Sequence, residues 1–153
     1  MAKSNIEDLK LDNQLCFSLY STSLAMSKTY KPLLEKLGLT YPQYLMMLVL
    51  WEEDGITATE LGHRLRQDKG ALSPVIKRLE AQGLIERRRD ANDERRVHLQ
   101  LTTEGKSLRR KAESIPRQVL CAGGLDRKSA QQLKAQIDAL RRSLDTPADT
   151  GDQ

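Results

Sequence analysis

Two cysteines, two histidines and a run of arginines are the side chains of this chain best able to do chemistry. Cys16 and Cys121 stand 105 positions apart. That spacing is wrong for a zinc knuckle or a CxxC redox motif, and two cysteines are too few for a secreted disulfide framework. His63 and His98 have no ligand-like neighbours along the sequence, so no metal site is expected. The arginines are concentrated: Arg87, Arg88, Arg89, Arg95 and Arg96 fall within ten positions. Guanidinium groups recognise phosphates and base edges through forked hydrogen bonds. No phosphate-binding loop or dinucleotide fingerprint accompanies them, which argues against an enzyme.

The arginines need elements to carry them, and the stretch from Thr57 to Leu101 reads as helix, turn, helix and β-hairpin. Thr57 caps a short helix with Glu60 in capping-box position and Leu61 and Leu65 as its apolar stripe. Asp68 caps the next helix, which turns Ala71, Leu72, Val75, Ile76 and Leu79 inward and ends at Gly83. Leu84 to Arg89 and Arg95 to Leu101 alternate as strands around the turn Asp90-Ala91-Asn92-Asp93. A short helix beside a basic hairpin fits duplex DNA, the helix in the major groove and the hairpin on the backbone or minor groove. Lys69, Ser73 and Lys77 are the expected major-groove residues. Arg95 at the wing tip is the minor-groove candidate, with Asp93 orienting its guanidinium. Arg87, with Arg88 and Arg89, is expected on a solvated strand face with phosphate contacts, rather than reading bases.

Charge follows the same division. Residues 61–111 carry 14 basic and 7 acidic side chains, whereas residues 1–60 carry 5 and 8, so the positive charge sits on the DNA-reading stretch. No apolar run reaches the length of a membrane span, and the N-terminus lacks the apolar core of a signal peptide. The expected location is the cytoplasm, with no membrane partner and no cofactor.

Helices flank this core. Asp12 to about Lys36 is helical in pattern, with Pro32 expected to kink or break it and Gly38 to stop it. Thr40, with Gln43 and Pro42, caps a second helix to about Glu53 that is apolar nearly all round and should be buried. Thr102 caps a long helix running past Ile115 to Gly123-Gly124, and Asp126 starts a last one carrying Leu133, Ile137 and Leu140. The end helices cannot easily bury their own apolar faces, so they are expected to pack against a second copy in a twofold dimer. The whole reads as a mainly α fold with a small β-hairpin wing. It is one domain over residues 1–153, with a winged helix-turn-helix DNA-binding core at 40–101 and dimerisation helices at 9–37 and 103–143. A dimer presents two recognition helices at fixed spacing, which suits an inverted-repeat operator.

This order of elements resembles the winged helix-turn-helix regulators of the MarR family over residues 9–143. Asp93-Glu94-Arg95-Arg96 followed by Leu101-Thr102-Thr103-Glu104-Gly105 is similar to that family's wing and following helix. The N-terminal half is more specific. Leu15-Cys16-Phe17-Ser18-Leu19-Tyr20, Tyr30-Lys31-Pro32-Leu33-Leu34, Leu39-Thr40-Tyr41-Pro42-Gln43-Tyr44 and Leu50-Trp51-Glu52 resemble the organic hydroperoxide resistance regulators. The resemblance implies that Cys16 is a peroxide sensor, that Tyr30 and Tyr41 hydrogen-bond its thiolate, and that Cys121 matches the resolving cysteine of two-cysteine members. The recognition helix opens Asp68-Lys69-Gly70-Ala71-Leu72-Ser73-Pro74 where that group usually has Asp-Ser-Gly-Thr-Leu-Thr-Pro, so its operator sequence is not carried over.

On an unbroken helix the 14 positions between Cys16 and Tyr30 span about 21 Å, so the Tyr30 that meets Cys16 would come from the partner subunit. Two other functions stay open. In one, a small aromatic ligand releases the repressor and Cys16 is an inert core cysteine. In the other, Cys16 and Cys121 turn over as a thiol peroxidase. Met46, Met47 and Trp51 read as core, and Tyr30 and Tyr41 could be plain interface packing.

Overall fold

The computed structural model of the chain describes residues 6–146. The chain forms two compact units, Met1–Ile115 and Pro116–Gln153.

In the first unit two 3-10 turns, Ile6–Leu9 and Leu11–Asn13, lead into helix α1, Leu15–Glu35. Helix α1 starts three residues after Asp12, because Gln14 takes the extended backbone of an N-cap. Pro32 lies inside α1 and does not break it. A proline removes one bond of the ladder, here to the Lys28 carbonyl, and so close to the helix end little remains to be disrupted. Gly38 then takes φ 70°, and the Leu39 amide returns to the Leu34 carbonyl at 3.1 Å.

Thr40 and Gln43 form the capping box of α2, Tyr41–Glu52. This helix is the centre of the unit. Tyr44, Met46, Met47, Val49 and Leu50 are buried, and Leu34, Leu39, Leu61, Leu72, Ile76, Leu79, Ile85 and Leu99 are buried with them. Truncating one of these leucines to alanine costs about 2–5 kcal/mol, through lost burial and the cavity left behind.

Thr57 and Glu60 form a second capping box at the start of α3, Ala58–Leu65. The turn that follows holds Arg66 at φ 55°, the one non-glycine positive φ among the described residues. Helix α4 spans Lys69–Ala81. Asp68 is its N-cap by backbone angle, but its side chain makes no capping bond. At an exposed helix end water satisfies the first amides, so a side-chain cap is dispensable. Ala71, expected inside, is exposed; Leu72, Ile76 and Leu79 make the buried stripe. The inward stripe therefore starts at Leu72, one position later.

Strands β1, Ile85–Arg89, and β2, Val97–Leu101, pair antiparallel with Ile85 opposite Leu101 and Arg89 opposite Val97. Thr57 adds a single bridge to His98. Thr102 caps α5, Thr103–Ala112, accepting the Gly105 amide at 3.1 Å. A Cβ on Gly105 would stand 2.1 Å from the Leu84 carbonyl oxygen, so only glycine fits where α5 crosses the root of the wing. The single long helix expected from Thr102 to Gly123 is two: α6, Ile115–Ala122, begins afresh. Pro116 has no N–H with which to continue the α5 ladder, but is well suited to the first turn of a new helix.

In the second unit Gly124, at φ 65°, ends α6, and the Asp126 carboxylate caps α7, Arg127–Asp145, by accepting the Ser129 amide at 2.7 Å. Leu133 and Ile137 of α7 stay exposed.

Candidate functional site

The α4 helix separates its faces cleanly. Lys69, Ser73 and Lys77, four residues apart, run along one exposed face, beside the buried stripe of Leu72, Ile76 and Leu79. The wing adds Arg88, Arg89, Arg95 and Arg96, all exposed. The arrangement presents donors and positive charge along a helix and an adjoining hairpin, as a nucleic-acid duplex requires.

Three wing residues, Arg87, Asp93 and His98, make contacts the sequence did not reveal. The Arg87 Nε donates to Glu80 Oε2 at 2.6 Å, so its guanidinium ties β1 to α4. Asp93 meets Arg95 through the backbone: its Oδ1 accepts the Arg95 amide at 3.0 Å, shaping the turn. An aspartate two residues before an amide closes this Asx turn readily, and the carboxylate is thereby taken up locally. The Asn92 amide donates likewise to Asp90 Oδ1 at 2.8 Å. His98, without a ligand-like neighbour along the chain, has one in space: its Nε2 is 2.9 Å from Asp90 Oδ2, and its Nδ1 is 2.9 Å from the Gly55 carbonyl oxygen. No group of three or more metal-ligating side chains occurs among the described residues.

Cys16, in the first turn of α1, and Cys121, on α6, are both free thiols and both exposed. Around Cys16 the α1 surface is apolar: Leu15 is 62 % exposed, Tyr20 64 % and Leu24 50 %. Near the other end of the same helix Tyr30 joins Tyr41 and Tyr44 of α2. Their ring centroids are 5.0 Å apart for Tyr30–Tyr41, 5.8 Å for Tyr30–Tyr44 and 6.3 Å for Tyr41–Tyr44, all tilted. Burial raises the pKa of each phenol. For Tyr44 burial, reinforced by Tyr30 and Tyr41, pushes it up to about 12. All three hydroxyls therefore remain protonated at neutral pH and able to donate. Tyr44 was missed by sequence reading; its spacing of three from Tyr41, which puts both on one side of α2, is the signal that could have found it.

A family model described as transcriptional regulator SarA/Rot matches residues 28–112. The organic hydroperoxide resistance transcriptional regulator of Bacillus subtilis (strain 168) is 46 % identical over 144 residues, covering 94 % of this chain and 96 % of that protein. The chain belongs to the organic hydroperoxide resistance regulators of the MarR and SarA winged-helix family. Solved structures of this type align along most of the chain. The structure of reduced AbfR bound to DNA superposes with a TM-score of 0.74 at 31 % identity, covering 90 % of this chain and 94 % of that one. The structure of disulfide-formed AbfR gives 0.60 at 32 % identity, covering 93 % and 96 %.

As a member of this regulator family the chain has the mainly helical, winged-helix architecture anticipated from its pattern. Among the described residues no helix is long and apolar enough to cross a membrane. The first unit brings together Tyr30 and Tyr41 on one side and Lys69, Ser73 and Lys77 on another. Within the same chain Cys16 and Tyr30 lie far apart on one continuous helix, α1.

Proposed function

We propose that this regulator represses transcription by binding duplex DNA as a dimer at an inverted-repeat operator, and that it leaves the operator when an organic hydroperoxide oxidises Cys16. Lys69, Ser73 and Lys77 read the major groove and Arg95 the minor groove. Arg87 and Asp93 hold the wing in shape. The protein works in the cytoplasm, where its DNA is.

One observation carries the thiol part of this reading: three protonated phenols, Tyr30, Tyr41 and Tyr44, gather where α1 meets α2. Phenols donate hydrogen bonds to a thiolate without bringing a charge, so the surroundings stay apolar enough to favour an organic hydroperoxide over hydrated hydrogen peroxide. Since α1 runs unbroken, Cys16 and Tyr30 of one chain are about 21 Å apart. The phenols that serve Cys16 are therefore those of the second subunit, with the two α1 helices crossing antiparallel. The exposed Leu15, Tyr20 and Leu24 are the apolar surface such a crossing would cover.

The chemistry balances without a cofactor. The Cys16 thiolate attacks the outer peroxide oxygen, the O–O bond breaks, and the departing alkoxide takes a proton to leave as an alcohol. Cys16 becomes a sulfenic acid. The Cys121 thiolate of the other subunit then attacks that sulfur, the S–O bond breaks, the hydroxide takes a proton to leave as water, and a disulfide joins the subunits. A disulfide requires Cα atoms within about 7 Å, so bond formation moves helices and with them the spacing of the two winged modules.

The deciding experiment measures DNA binding by the purified protein before and after cumene hydroperoxide, and again after dithiothreitol. Loss followed by recovery supports the reading. Sustained peroxide consumption in the presence of reductant would instead make the protein a thiol peroxidase. A second reading, release by a small aromatic ligand, draws on a cavity of about 330 Å³ lined by Ser27, Lys31, Leu34, Glu35, Thr40 and Tyr41 among others. Release of the Cys16→Ser variant by an aromatic acid would favour it.

A further inference from the structure

Gln43 is buried, 3 % exposed, and it is one of two polar residues in the core of the described chain. Its amide is used at both ends. Oε1 accepts the Thr40 amide at 2.9 Å, closing the α2 capping box. Nε2 donates to Gln82 Oε1 at 2.9 Å. Gln82 is the C-cap residue of α4, and its own Nε2 donates to the Gly38 carbonyl at 2.8 Å. Two glutamine amides thus bind the α1–α2 junction, Gly38 to Gln43, to the C-terminal end of α4.

The position of this link matters. Gln43 shares the first turns of α2 with Tyr41 and Tyr44, so a shift of those phenols moves Gln43 with them. Apolar contacts between α2 and α4 can slide, but a hydrogen bond is short and directional, and a buried amide left unpaired is costly. The junction and the end of α4 must therefore move together or separate at both bonds. Gln82 gains a fixed position from both directions, since it accepts from α2 and donates to the loop before it.

We propose that the Gln43–Gln82 amide pair is the coupling element between the tyrosine cluster and the recognition helix, transmitting a displacement at the α1–α2 junction into a change in the attitude of α4. Gln43 and Gln82 are positioning residues: they touch neither thiol nor DNA in this scheme. The proposal rests on the peroxide-sensing reading above, and its test separates the two.

The test uses Gln82→Leu and Gln82→Glu in the full-length protein. Gln82 is exposed, so both should fold, as circular dichroism and thermal melting will check. Leucine removes both side-chain bonds; glutamate keeps the acceptor for Gln43 and loses the donor to Gly38. Three quantities are read: the rate of Cys16 thiol loss in cumene hydroperoxide, and the affinities of reduced and oxidised protein for a fluorescent duplex selected from a random pool by the reduced wild type. In Gln82→Leu, Cys16 should oxidise at the wild-type rate and reduced protein should bind normally. The drop in affinity on oxidation should shrink by about tenfold, the range of ordinary allosteric coupling. Gln82→Glu should fall between leucine and wild type. An undiminished drop in Gln82→Leu overturns the proposal, and so does loss of binding by the reduced variant, which would put Gln82 on the DNA surface. If wild-type protein stays on DNA with Cys16 oxidised, the sensor reading itself fails, and the coupling falls with it.

Discussion

His98 and Asp90 are joined by a contact of 2.9 Å between Nε2 and Oδ2, and the other nitrogen of the same ring, Nδ1, lies 2.9 Å from the Gly55 carbonyl. Both partners are oxygen acceptors. A neutral imidazole can donate to only one of them, whereas an imidazolium donates to both. The ring thus fastens β2 to the start of the wing turn and to the loop before α3.

This contact makes wing stability depend on pH. The Asp90 hydrogen bond, followed by the Gly55 bond, raises the His98 pKa above 6.5, with loss of solvent and then Arg96 opposing; His98 in turn is the main cause lowering Asp90 below 3.8. The histidine contribution is complete below its unfolded pKa and is lost as pH rises through the raised value. The aspartate contribution is complete above its unfolded pKa and is lost as pH falls through the lowered one. The clasp is therefore whole between 3.8 and 6.5. The melting-temperature gap between wild type and His98→Gln should be wide at about pH 5.5 and narrow at about pH 8.5. A gap that stays constant would show that His98 carries no proton beyond the neutral ring's.

Arg95→Ala should weaken DNA binding by about 1–3 kcal/mol if the guanidinium makes a specific groove contact. Wild-type binding should also weaken as salt rises, through counterion release. Anisotropy titrations at several salt concentrations measure both. Full-affinity binding by the variant would remove the wing from the DNA model.

Deleting residues 1–36 should abolish the dimer, because nothing else replaces the exposed apolar face of α1. Sedimentation of the shortened protein as a folded, stable dimer would contradict the proposed α1 crossing.

Cys16→Ser should bind DNA when reduced and ignore organic hydroperoxide. Cys121→Ser should still respond, through the Cys16 sulfenic acid, but recover less well in dithiothreitol because nothing intercepts the acid before overoxidation. Wild-type protein should show a peroxide-dependent dimer band on non-reducing electrophoresis. A disulfide confined to the monomer would reject the intersubunit bond.

Much of the architecture was legible because local chemistry and tertiary packing agree. Thr40 with Gln43 and Thr57 with Glu60 announce helix starts, and both capping boxes form. The mainly helical fold with its two-stranded wing follows the predicted periodicities. What was not legible depends on contacts distant in sequence or on choices between equivalent partners. Glu80 claims Arg87, and Gly55 and Asp90 claim His98; no local pattern marks either contact. Tyr44 is buried like the core residues beside it, which hides its place among the phenols. The apolar pattern from Thr102 to Gly123 runs on as one helix, whereas Pro116 stands in the first turn of a new one.

Gly105 has a consequence for how such a protein can change over time. Its missing side chain lets α5 lie directly on the Leu84 carbonyl, and its own carbonyl accepts the Trp51 indole N–H at 2.9 Å. At this point the wing root is seated on main chain. Side chains drift by substitution, and the angles they set drift with them; a seat made of backbone does not. The pitch at which the wing leaves the body is set there by main chain meeting main chain, and it holds for as long as position 105 stays glycine. Attempts to retune the wing for a different duplex should begin at its outer residues, where Arg88, Arg89, Arg95 and Arg96 are exposed.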